Sequence, residues 1–308
     1  MDSLRCISAN IRGLNSKEKR KKFFSWVLDT NIDICFIQET HFVSKNSFQY
    51  NCNWPGESIH AFSDSAFSRG VSILLKKNSN IEVLDIHKSL DGRKLLVNIC
   101  VNEENLTLVN IYSPNKESNR VDFFKRLTTF INIHALSQSR LVLCGDFNCN
   151  INSKTDKSAK ILRDCINTLD IKDLWHTIHK NRDGFTWCDA SDTPKSRIDL
   201  VLTSYDLLDN FKSLSVRKIP GTHNNGIRLS DHRALKFELK LYDNKRGVGY
   251  WKMNSSILLE EEYKNKIIQI IRKIEELNIS YVEKWELLKQ EVKRKSIHYS
   301  IKHQKKNR

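Results

Sequence analysis

The amino-acid sequence predicts a mixed α/β fold in which two packed β-sheets carry helices on their outer faces. Over the first 240 residues, short apolar runs typical of strands alternate with segments whose apolar residues recur at helical spacing. Between residues 71 and 112, several β-rich runs follow one another with polar turns between them, which favours antiparallel hairpins over a simple parallel sheet. After about residue 242 the alternation ends, which predicts a separate C-terminal extension.

Each predicted element follows from its own stretch of sequence. The predicted strands are the apolar runs at residues 4–9, 33–38, 71–75, 81–86, 94–101, 106–112, 141–144, 185–187, 198–202 and 235–241. Apolar side chains share one helical face at residues 16–29, 119–135 and 161–169. We find no internal repeat and no low-complexity tract, so a single domain over residues 1–241 is the simplest division.

Residues 242–308 have a different character. Residues 243–249 have the polar, glycine-containing composition of a linker. Two helices are predicted after it, with apolar faces formed by Leu259, Tyr263, Ile267, Ile270, Ile274 and Leu277 and by Val282, Trp285, Leu288 and Val292. The basic end, residues 293–308, is expected to fray. Such helices need something to pack against, either the main domain or a segment outside this sequence.

Composition indicates a soluble intracellular protein with a polyanionic partner. The first residues lack the layout of a secretory signal, and no apolar run approaches the roughly 20 residues that span a bilayer. Eight scattered cysteines without a Cys-x-x-Cys pair disfavour a disulfide framework and a zinc site. The net charge of +15 slightly favours nucleic acid over other partners. Residues 245–308 hold 16 Lys and Arg against 8 Asp and Glu, which is about half of the excess.

Polar side chains stand where several predicted strands begin or end. They include Asn10, Glu39, Tyr112, Asp146, Asn148 and Asp231. Strand ends on a rigid sheet commonly hold catalytic groups. Carboxylate and amide oxygens suit a hard cation such as magnesium, whereas the chain has no His-Glu-x-x-His motif and no Cys/His cluster for zinc. Taken singly, each residue has a simpler interpretation, as a solvated carboxylate, a structural histidine or a packing aromatic ring.

The order and context of these residues resemble the endonuclease/exonuclease/phosphatase superfamily over about residues 3–241. The matching motifs are Ser8-Ala9-Asn10-Ile11, Ile37-Gln38-Glu39-Thr40, Asn110-Ile111-Tyr112-Ser113-Pro114, Gly145-Asp146-Phe147-Asn148, Ser196-Arg197-Ile198-Asp199 and Ser230-Asp231-His232. Finding all of them in the family's order is highly specific. The resemblance implies a four-layered α/β sandwich with two central mixed β-sheets flanked by helices.

The resemblance also implies a metal site. Glu39 would ligate a magnesium ion, for which manganese could substitute. Asn10 would lie beside that ligand, and Asp231 would support the metal region. Some abasic-site endonucleases of the superfamily have an acidic residue two places after the asparagine, where this chain has Arg12. This difference argues against a second metal ligand from the first strand.

Five residues have implied catalytic roles. Asp146 would orient or deprotonate the attacking water, and His232, held by Asp199, would contact the scissile phosphate. Tyr112 and Asn148 would bind phosphate oxygens. Which group is the general base is left open by the sequence.

Two stretches resemble LINE-type (non-LTR) retrotransposon endonucleases more than repair enzymes. Residues 184–187 and 196–199 are similar to the hairpin and strand that line the DNA site of those endonucleases. On this basis, with the loop after Tyr112, the predicted DNA-contacting residues are Thr186, Arg197, Ser230 and Asn115, while Trp187 is equally well explained by packing. Residues 250–254 and the segment after them resemble the join to a reverse transcriptase.

The sequence therefore predicts a DNA endonuclease that nicks one strand and leaves a 3′-hydroxyl to prime reverse transcription. Double-stranded DNA is the expected partner of a monomeric domain that has no membrane role, and the basic C-terminal tail is a candidate contact for element RNA. Action in the nucleus after synthesis in the cytoplasm is expected. An abasic-site repair endonuclease and a catalytically silent nucleic-acid-binding domain of the same fold remain alternatives.

Overall fold

The computed structural model describes residues 3–46, 50, 54–77, 80–137, 140–180, 182–219, 229–240, 253 and 255–306. The chain forms two compact units, Met1–Asp243 and Asn244–Arg308. The predicted linker at residues 243–249 and the predicted joining segment at residues 250–254 lie outside the described residues, except for Met253.

The first unit contains the strands and four of the α-helices. The strands are β1 (Ser3–Asn10), β2 (Ile34–Gln38), β3 (Gly56–Ala61), β4 (Val71–Lys76), β5 (Ile81–Lys88), β6 (Lys94–Val101), β7 (Glu104–Tyr112), β8 (Leu141–Asp146), β9 (Ile171–Asp173), β10 (Trp187–Cys188), β11 (Pro194–Ser196), β12 (Asp199–Ser204), β13 (Phe211–Lys218) and β14 (Arg233–Lys240). The helices are α1 (Lys17–Asp29), α2 (Glu117–His134), α3 (Lys157–Leu169) and α4 (Leu174–His179).

Twelve of these strands form two six-stranded sheets. One sheet has the order β13-β14-β1-β2-β4-β3, the other has the order β5-β6-β7-β8-β12-β9, and β10 and β11 form a separate hairpin. β1 runs parallel to β2, and β7 runs parallel to β8. Because β14 and β12 run antiparallel to β1 and β8, their amino ends meet the carboxyl ends of those strands. Functional side chains from both sheets therefore meet at one edge.

Three apolar clusters separate the layers. Residues such as Phe36 and Phe237 of the first sheet pack with Val97 and Leu108 of the second in the central cluster. α1 covers the outer face of the first sheet, and α2 and α3 cover the outer face of the second. The predicted four-layered sandwich with two mixed sheets is confirmed. Burial at about 25 cal/mol per Å² of apolar surface makes this packing the main source of stability.

The turn from β1 into α1 is held by side chains of the helix itself. Ser16 caps α1 by accepting a hydrogen bond from the backbone N–H of Lys19, a contact that typically contributes about 1 kcal/mol. The Lys19 ammonium donates to the carbonyls of Ile11 (2.6 Å) and Arg12 (3.1 Å). Arg20, which is buried, donates in the same way to Leu14 (2.8 Å). These contacts fix the loop in which Arg12 lies.

The sequence missed several elements of the first unit. They are the edge strands β3 and β13, the short strands β9 and β11, and α4. β13 has only one buried position out of eight, so it lacks the apolar run from which the other strands were predicted. α4 is only six residues long and is too short to display a helical period.

The second unit contains a 3₁₀ turn (Ser255–Leu259) and the helices α5 (Glu261–Glu275) and α6 (Tyr281–Lys306). Ile257, Tyr263 and Tyr299 form its small core. The predicted apolar face of the second helix is wrong in part, because Val282 is 72% exposed and Trp285 is 58% exposed. The basic end, which was predicted to fray, is helical as far as Lys306. Among the described helices, none combines the length and apolarity needed to cross a bilayer.

Candidate active site

A buried cluster of two carboxylates and one imidazole lies at the shared edge of the two sheets. Asp146 ends β8, Asp199 begins β12, and the two residues are directly paired in the ladder. His232 immediately precedes β14 and faces them from the other sheet. Its Nδ1 lies 2.8 Å from Asp199 Oδ2, and its Nε2 lies 3.9 Å from Asp146 Oδ2. All three residues are more than 90% buried.

This arrangement favours a protonated His232. Burial lowers the pKa of the imidazole, but the charge and hydrogen bond of Asp199, together with the charges of Asp146 and Asp231, raise the pKa to about 10. Burial and the charge of Asp199 raise the pKa of Asp146 to about 7. At neutral pH the site therefore holds an imidazolium with Nδ1–H directed at Asp199, and Nε2–H is directed away from that contact.

Asn10 joins the two sheets at the same edge. Its side-chain amide nitrogen donates to Glu39 Oε1 (2.9 Å) and to Asp146 Oδ2 (2.8 Å). Its oxygen accepts from the backbone N–H of Arg12 (3.1 Å). Asn10 was predicted to lie beside the metal ligand, and it does contact Glu39. Asn10 thus links the two carboxylates through its nitrogen, while its oxygen accepts one backbone hydrogen bond.

Glu39 follows β2 and is partly exposed beside this bridge. Burial raises its pKa, but hydrogen bonds from His41, Asn10 and Tyr112 outweigh burial and lower the pKa overall. His41 Nε2 lies 3.3 Å from Glu39 Oε2, a contact that the sequence analysis missed. The sequence did offer a signal for this contact, because His41 lies only two residues after Glu39. The two carboxylate oxygens of Glu39 are thus each in contact with a neighbouring side chain, Oε1 with Asn10 and Oε2 with His41.

Tyr112, Asn115 and Asn148 form a second polar group on the β7–β8 side. The Tyr112 hydroxyl donates to Asn115 Oδ1 (3.1 Å), and the Asn148 amide donates to the carbonyl of Ser113 (2.9 Å). The backbone N–H of Asn148 donates to Asp146 Oδ1 (2.8 Å). Burial and the charges of Glu39 and Asp146 raise the pKa of Tyr112, so it remains a neutral hydrogen-bond donor.

Asp231 and Ser230 connect the loop before β14 to the rest of the edge. Ser230 is buried and donates to the carbonyl of Asn10 (2.7 Å). Asp231 Oδ2 accepts from Arg12 Nη1 (3.0 Å) and from Trp187 Nε1 (3.1 Å). The Ser230 hydroxyl therefore joins this loop to the end of β1, and Ser230, which was predicted to contact DNA, is buried.

Thr186 and Arg197, also predicted to contact DNA, are buried as well. Thr186 Oγ1 accepts from the backbone N–H groups of Ile198 (3.2 Å) and Asp199 (3.1 Å). Arg197 forms an ion pair with Asp173 (2.7 Å). Both side chains help to hold the amino end of β12 in place. Of the four predicted DNA-contacting residues, only Asn115 is exposed.

The donor set fits a hard divalent cation. Glu39, Asp146, Asp199 and Asp231 bring carboxylate oxygens to one edge, and the described residues supply no cysteine to the cluster of Asp146, Asp199 and His232. Asp199 Oδ1 and Asp231 Oδ1 are buried and have no hydrogen-bond partner in the part of the chain that the structure describes. Buried orphan oxygens of this kind call for a cation or water, and oxygen ligands suit magnesium or manganese.

The fold and the edge cluster together define a class of protein, the four-layered α/β sandwich that carries a buried Asp–His pair beside an Asn–Glu pair. This chain belongs to the endonuclease/exonuclease/phosphatase family, whose model matches residues 7–232.

The chain is also similar to a transposon protein. The chain is 25% identical over 268 residues to a Xenopus laevis protein described as the uncharacterized 149 kDa protein of transposon TX1. The match covers 84% of this chain but only 20% of that protein's length.

Two solved structures share the fold. An AP endonuclease from Leishmania major has a TM-score of 0.62 at 12% identity, covering 78% of this chain and 89% of that one. The endonuclease domain of TRAS1, a telomere-specific non-LTR retrotransposon, has a TM-score of 0.57 at 18% identity, covering 78% of this chain and 99% of that one.

Proposed function

We propose that this protein is a metal-dependent endonuclease that nicks one strand of duplex DNA and leaves a 3′-hydroxyl from which reverse transcription is primed. The observation that carries the proposal is the buried arrangement of Asp199, His232 and Asp146 next to the Asn10–Glu39 pair. A cationic imidazole and a carboxylate side by side suit attack on a phosphodiester, which needs both charge stabilisation and proton transfer.

In this proposal, His232 donates its Nε2–H to a non-bridging oxygen of the scissile phosphate. Asp146, whose pKa near 7 suits a general base at neutral pH, takes a proton from the attacking water. The bond between the water oxygen and phosphorus forms as the P–O3′ bond breaks, and the leaving O3′ takes a proton from solvent water, which yields a 5′-phosphate and a 3′-hydroxyl. Tyr112 and Asn148 would donate to other phosphate oxygens.

Glu39 and Asp231 are the residues that we propose to hold a magnesium ion, directly or through water, and manganese could replace it. When bound, such an ion would supply charge stabilisation to a phosphoryl oxygen and to the leaving oxygen. The role of Asn10 is to set the spacing between Glu39 and Asp146, because its amide contacts both carboxylates.

Three observations support DNA and retrotransposition as the setting. The net charge of +15 suits a polyphosphate backbone. The TX1 relative is a transposon protein, and TRAS1 is a non-LTR retrotransposon. On this reading the partner is nuclear double-stranded DNA, with element RNA as a candidate partner of the basic second unit.

Repair of abasic sites is the second candidate, because the Leishmania major structure is an AP endonuclease. It predicts much faster cleavage of a duplex with one abasic site than of an intact duplex. Equal cleavage of both duplexes would count against it.

A plasmid assay tests the proposed reaction. We expect the wild-type protein with magnesium to convert supercoiled plasmid to open circles that a DNA polymerase extends without further treatment. Asp146→Asn and His232→Ala should each lower the rate by about 10²- to 10⁴-fold, because each removes a proton-transfer or charge-stabilising group.

Lys212→Met serves as the matched control. Lys212 forms an exposed ion pair with Glu238 (3.0 Å) at the opposite end of β13 and β14 from His232. This variant should nick at the wild-type rate. If the wild-type protein leaves plasmid intact in both magnesium and manganese, the proposed function is wrong.

A further inference from the structure

The Asp231 carboxylate is held by two donors on a single oxygen. Arg12 Nη1 lies 3.0 Å from Oδ2, and Trp187 Nε1 lies 3.1 Å from the same atom. Two fixed donors on one oxygen leave a carboxylate little freedom to rotate, so the direction of its other oxygen is also set. That other oxygen, Oδ1, is buried, has no hydrogen-bond partner among the described residues, and lies 4.0 Å from His232 Nε2.

Arg12 is itself fixed by its surroundings. Its backbone adopts φ of +48°, in the left-handed region, and its N–H donates to Asn10 Oδ1. Its carbonyl accepts from the Lys19 ammonium (3.1 Å). A strained backbone conformation persists only where the surroundings enforce it. The side chain is 59% exposed, and it extends from a backbone segment that is held at both the carbonyl and the amide.

Trp187 is fixed by main-chain pairing with the same loop that carries Asp231. Trp187 forms a β-bridge with His232, the N–H of Cys188 donates to the carbonyl of Asp231 (2.9 Å), and the N–H of Arg233 donates to the carbonyl of Thr186 (2.6 Å). The indole N–H of Trp187 therefore extends to Asp231 from β10, a strand whose backbone is already hydrogen-bonded to Asp231. Trp187 thus has a specific polar contact besides its packing.

We propose that Arg12 and Trp187 are positioning residues that hold Asp231 Oδ1 4.0 Å from His232 Nε2, too far for a hydrogen bond between the two atoms. This inference rests on the proposed endonuclease function. With Asp231 held in this position, His232 Nε2 stays available to a phosphate oxygen. If its anchors were removed, Asp231 could rotate until Oδ1 forms a hydrogen bond with Nε2 and blocks that contact, because a carboxylate is a strong hydrogen-bond acceptor.

Kinetics of plasmid nicking test this role. Arg12→Met should lower kcat by about 10- to 100-fold with little change in KM, which is the usual cost of losing a residue that orients a ligand or catalytic group. Arg12→Lys should recover part of the loss, since lysine restores the charge but not the planar donor geometry. Trp187→Phe should cause a smaller loss, because Arg12 remains. In an Asp231→Asn background, Arg12→Met should have little further effect.

Two kinetic outcomes would overturn the inference. One is an increase in KM at unchanged kcat, which would make Arg12 a direct contact to DNA. The other is an equal loss from Arg12→Met with and without Asp231, which would make the two residues independent. Lys212→Met should leave both kinetic constants at wild-type values.

Nuclear magnetic resonance tests the same contacts without catalysis, and so separates this inference from the proposed function. The indole N–H resonance of Trp187, assigned with Trp187→Phe among the six tryptophans, reports its bond to Asp231. Arg12→Met and Asp231→Asn should each shift this resonance and the His232 ring resonances. Lys212→Met should shift none of them. An unchanged Trp187 resonance in Asp231→Asn would refute the anchor even if the wild-type protein nicks DNA.

Discussion

At the scale of single residues, the edge cluster depends on a neutral amide placed between two acids. Asn10 is fully buried, and one nitrogen atom contacts both Glu39 and Asp146. A carboxamide satisfies two acceptors without adding charge, whereas any acid at this position would add repulsion and remove two donors. Ser230, which donates to the Asn10 carbonyl, fixes the backbone of the same residue. The residue therefore couples the ends of β1, β2, β8 and β14.

Asn10→Asp should destabilise the protein by about 3 kcal/mol or more, because it buries an unpaired carboxylate beside two others. Chemical denaturation at pH 7 measures this loss. Magnesium should restore more stability to Asn10→Asp than to the wild type, since the extra carboxylate adds a cation ligand. A matched Asn115→Asp variant, at an exposed position, should lose far less stability. Equal stability of Asn10→Asp and the wild type would contradict the role of the Asn10 amide as a donor to both Glu39 and Asp146.

The identities of the edge residues could be predicted from the sequence, but most of their contacts could not. Asn10, Glu39 and Asp146 each stand at the end of an apolar run, so strand prediction alone brings attention to them. The Arg12–Asp231 contact joins residues 219 positions apart, and only the packed sheets bring them together. The burial of Thr186 and Arg197 could not be predicted either, because the sequence does not indicate whether a polar side chain in a short loop is buried or exposed.

At the scale of elements, several side chains at the shared edge of the sheets lie immediately after strands that end abruptly. Arg12, Glu39, His41 and Asn148 all lie just after strands and adopt φ values between +47° and +59°. Left-handed residues stop a strand and redirect the chain, at a cost of roughly 1–3 kcal/mol each for residues with a side chain. Strands with continuous apolar runs were predictable to within a few residues. The edge strands β3 and β13 were missed, whereas the edge strand β5, also largely exposed, was predicted at residues 81–86.

Gly145→Ala tests the close pairing of β7 and β8. Gly145 has φ of +148°, and a Cβ atom there would overlap the carbonyl oxygen of Ile111 on the neighbouring strand. The backbone must shift to admit the methyl group, and we expect a loss of about 3 kcal/mol or more in unfolding free energy. Asp146 should move with the strand, so nicking should fall even where the protein stays folded.

The control for Gly145→Ala is Cys144→Ala, which shrinks the neighbouring buried side chain. We expect this variant to lose about 1 kcal/mol, since it removes only one sulfur atom from the core. Thermal or urea unfolding of both variants compares the two effects. A larger loss in Cys144→Ala than in Gly145→Ala would contradict the proposed steric role of Gly145.

At the scale of the whole molecule, the candidate site residues and the positive charge are distributed differently. The described site residues all lie within Met1–Asp243, which contains both sheets and the three large apolar clusters. Residues 245–308 hold 16 Lys and Arg against 8 Asp and Glu, whereas residues 1–244 hold 35 against 28. The core of the second unit is small and consists of Ile257, Tyr263 and Tyr299. Under the proposed function, removal of this unit should affect the affinity for a polyanion more than the catalytic step.

A chain that ends at Asp243 should therefore fold and nick plasmid at close to the full-length rate under saturating DNA. Its affinity for duplex DNA should fall at low salt, because the removed unit carries about half of the excess positive charge. Fluorescence anisotropy between 50 and 200 mM salt measures how steeply the Kd for DNA depends on salt. In the truncated chain, the slope of log Kd against log salt concentration should be smaller by roughly 0.9 for each phosphate contact that is lost. An unfolded or inactive truncated chain would instead place the second unit within the catalytic domain. An unchanged salt dependence would show that the basic helices do not contact DNA, and RNA would then be the polyanion to test against them.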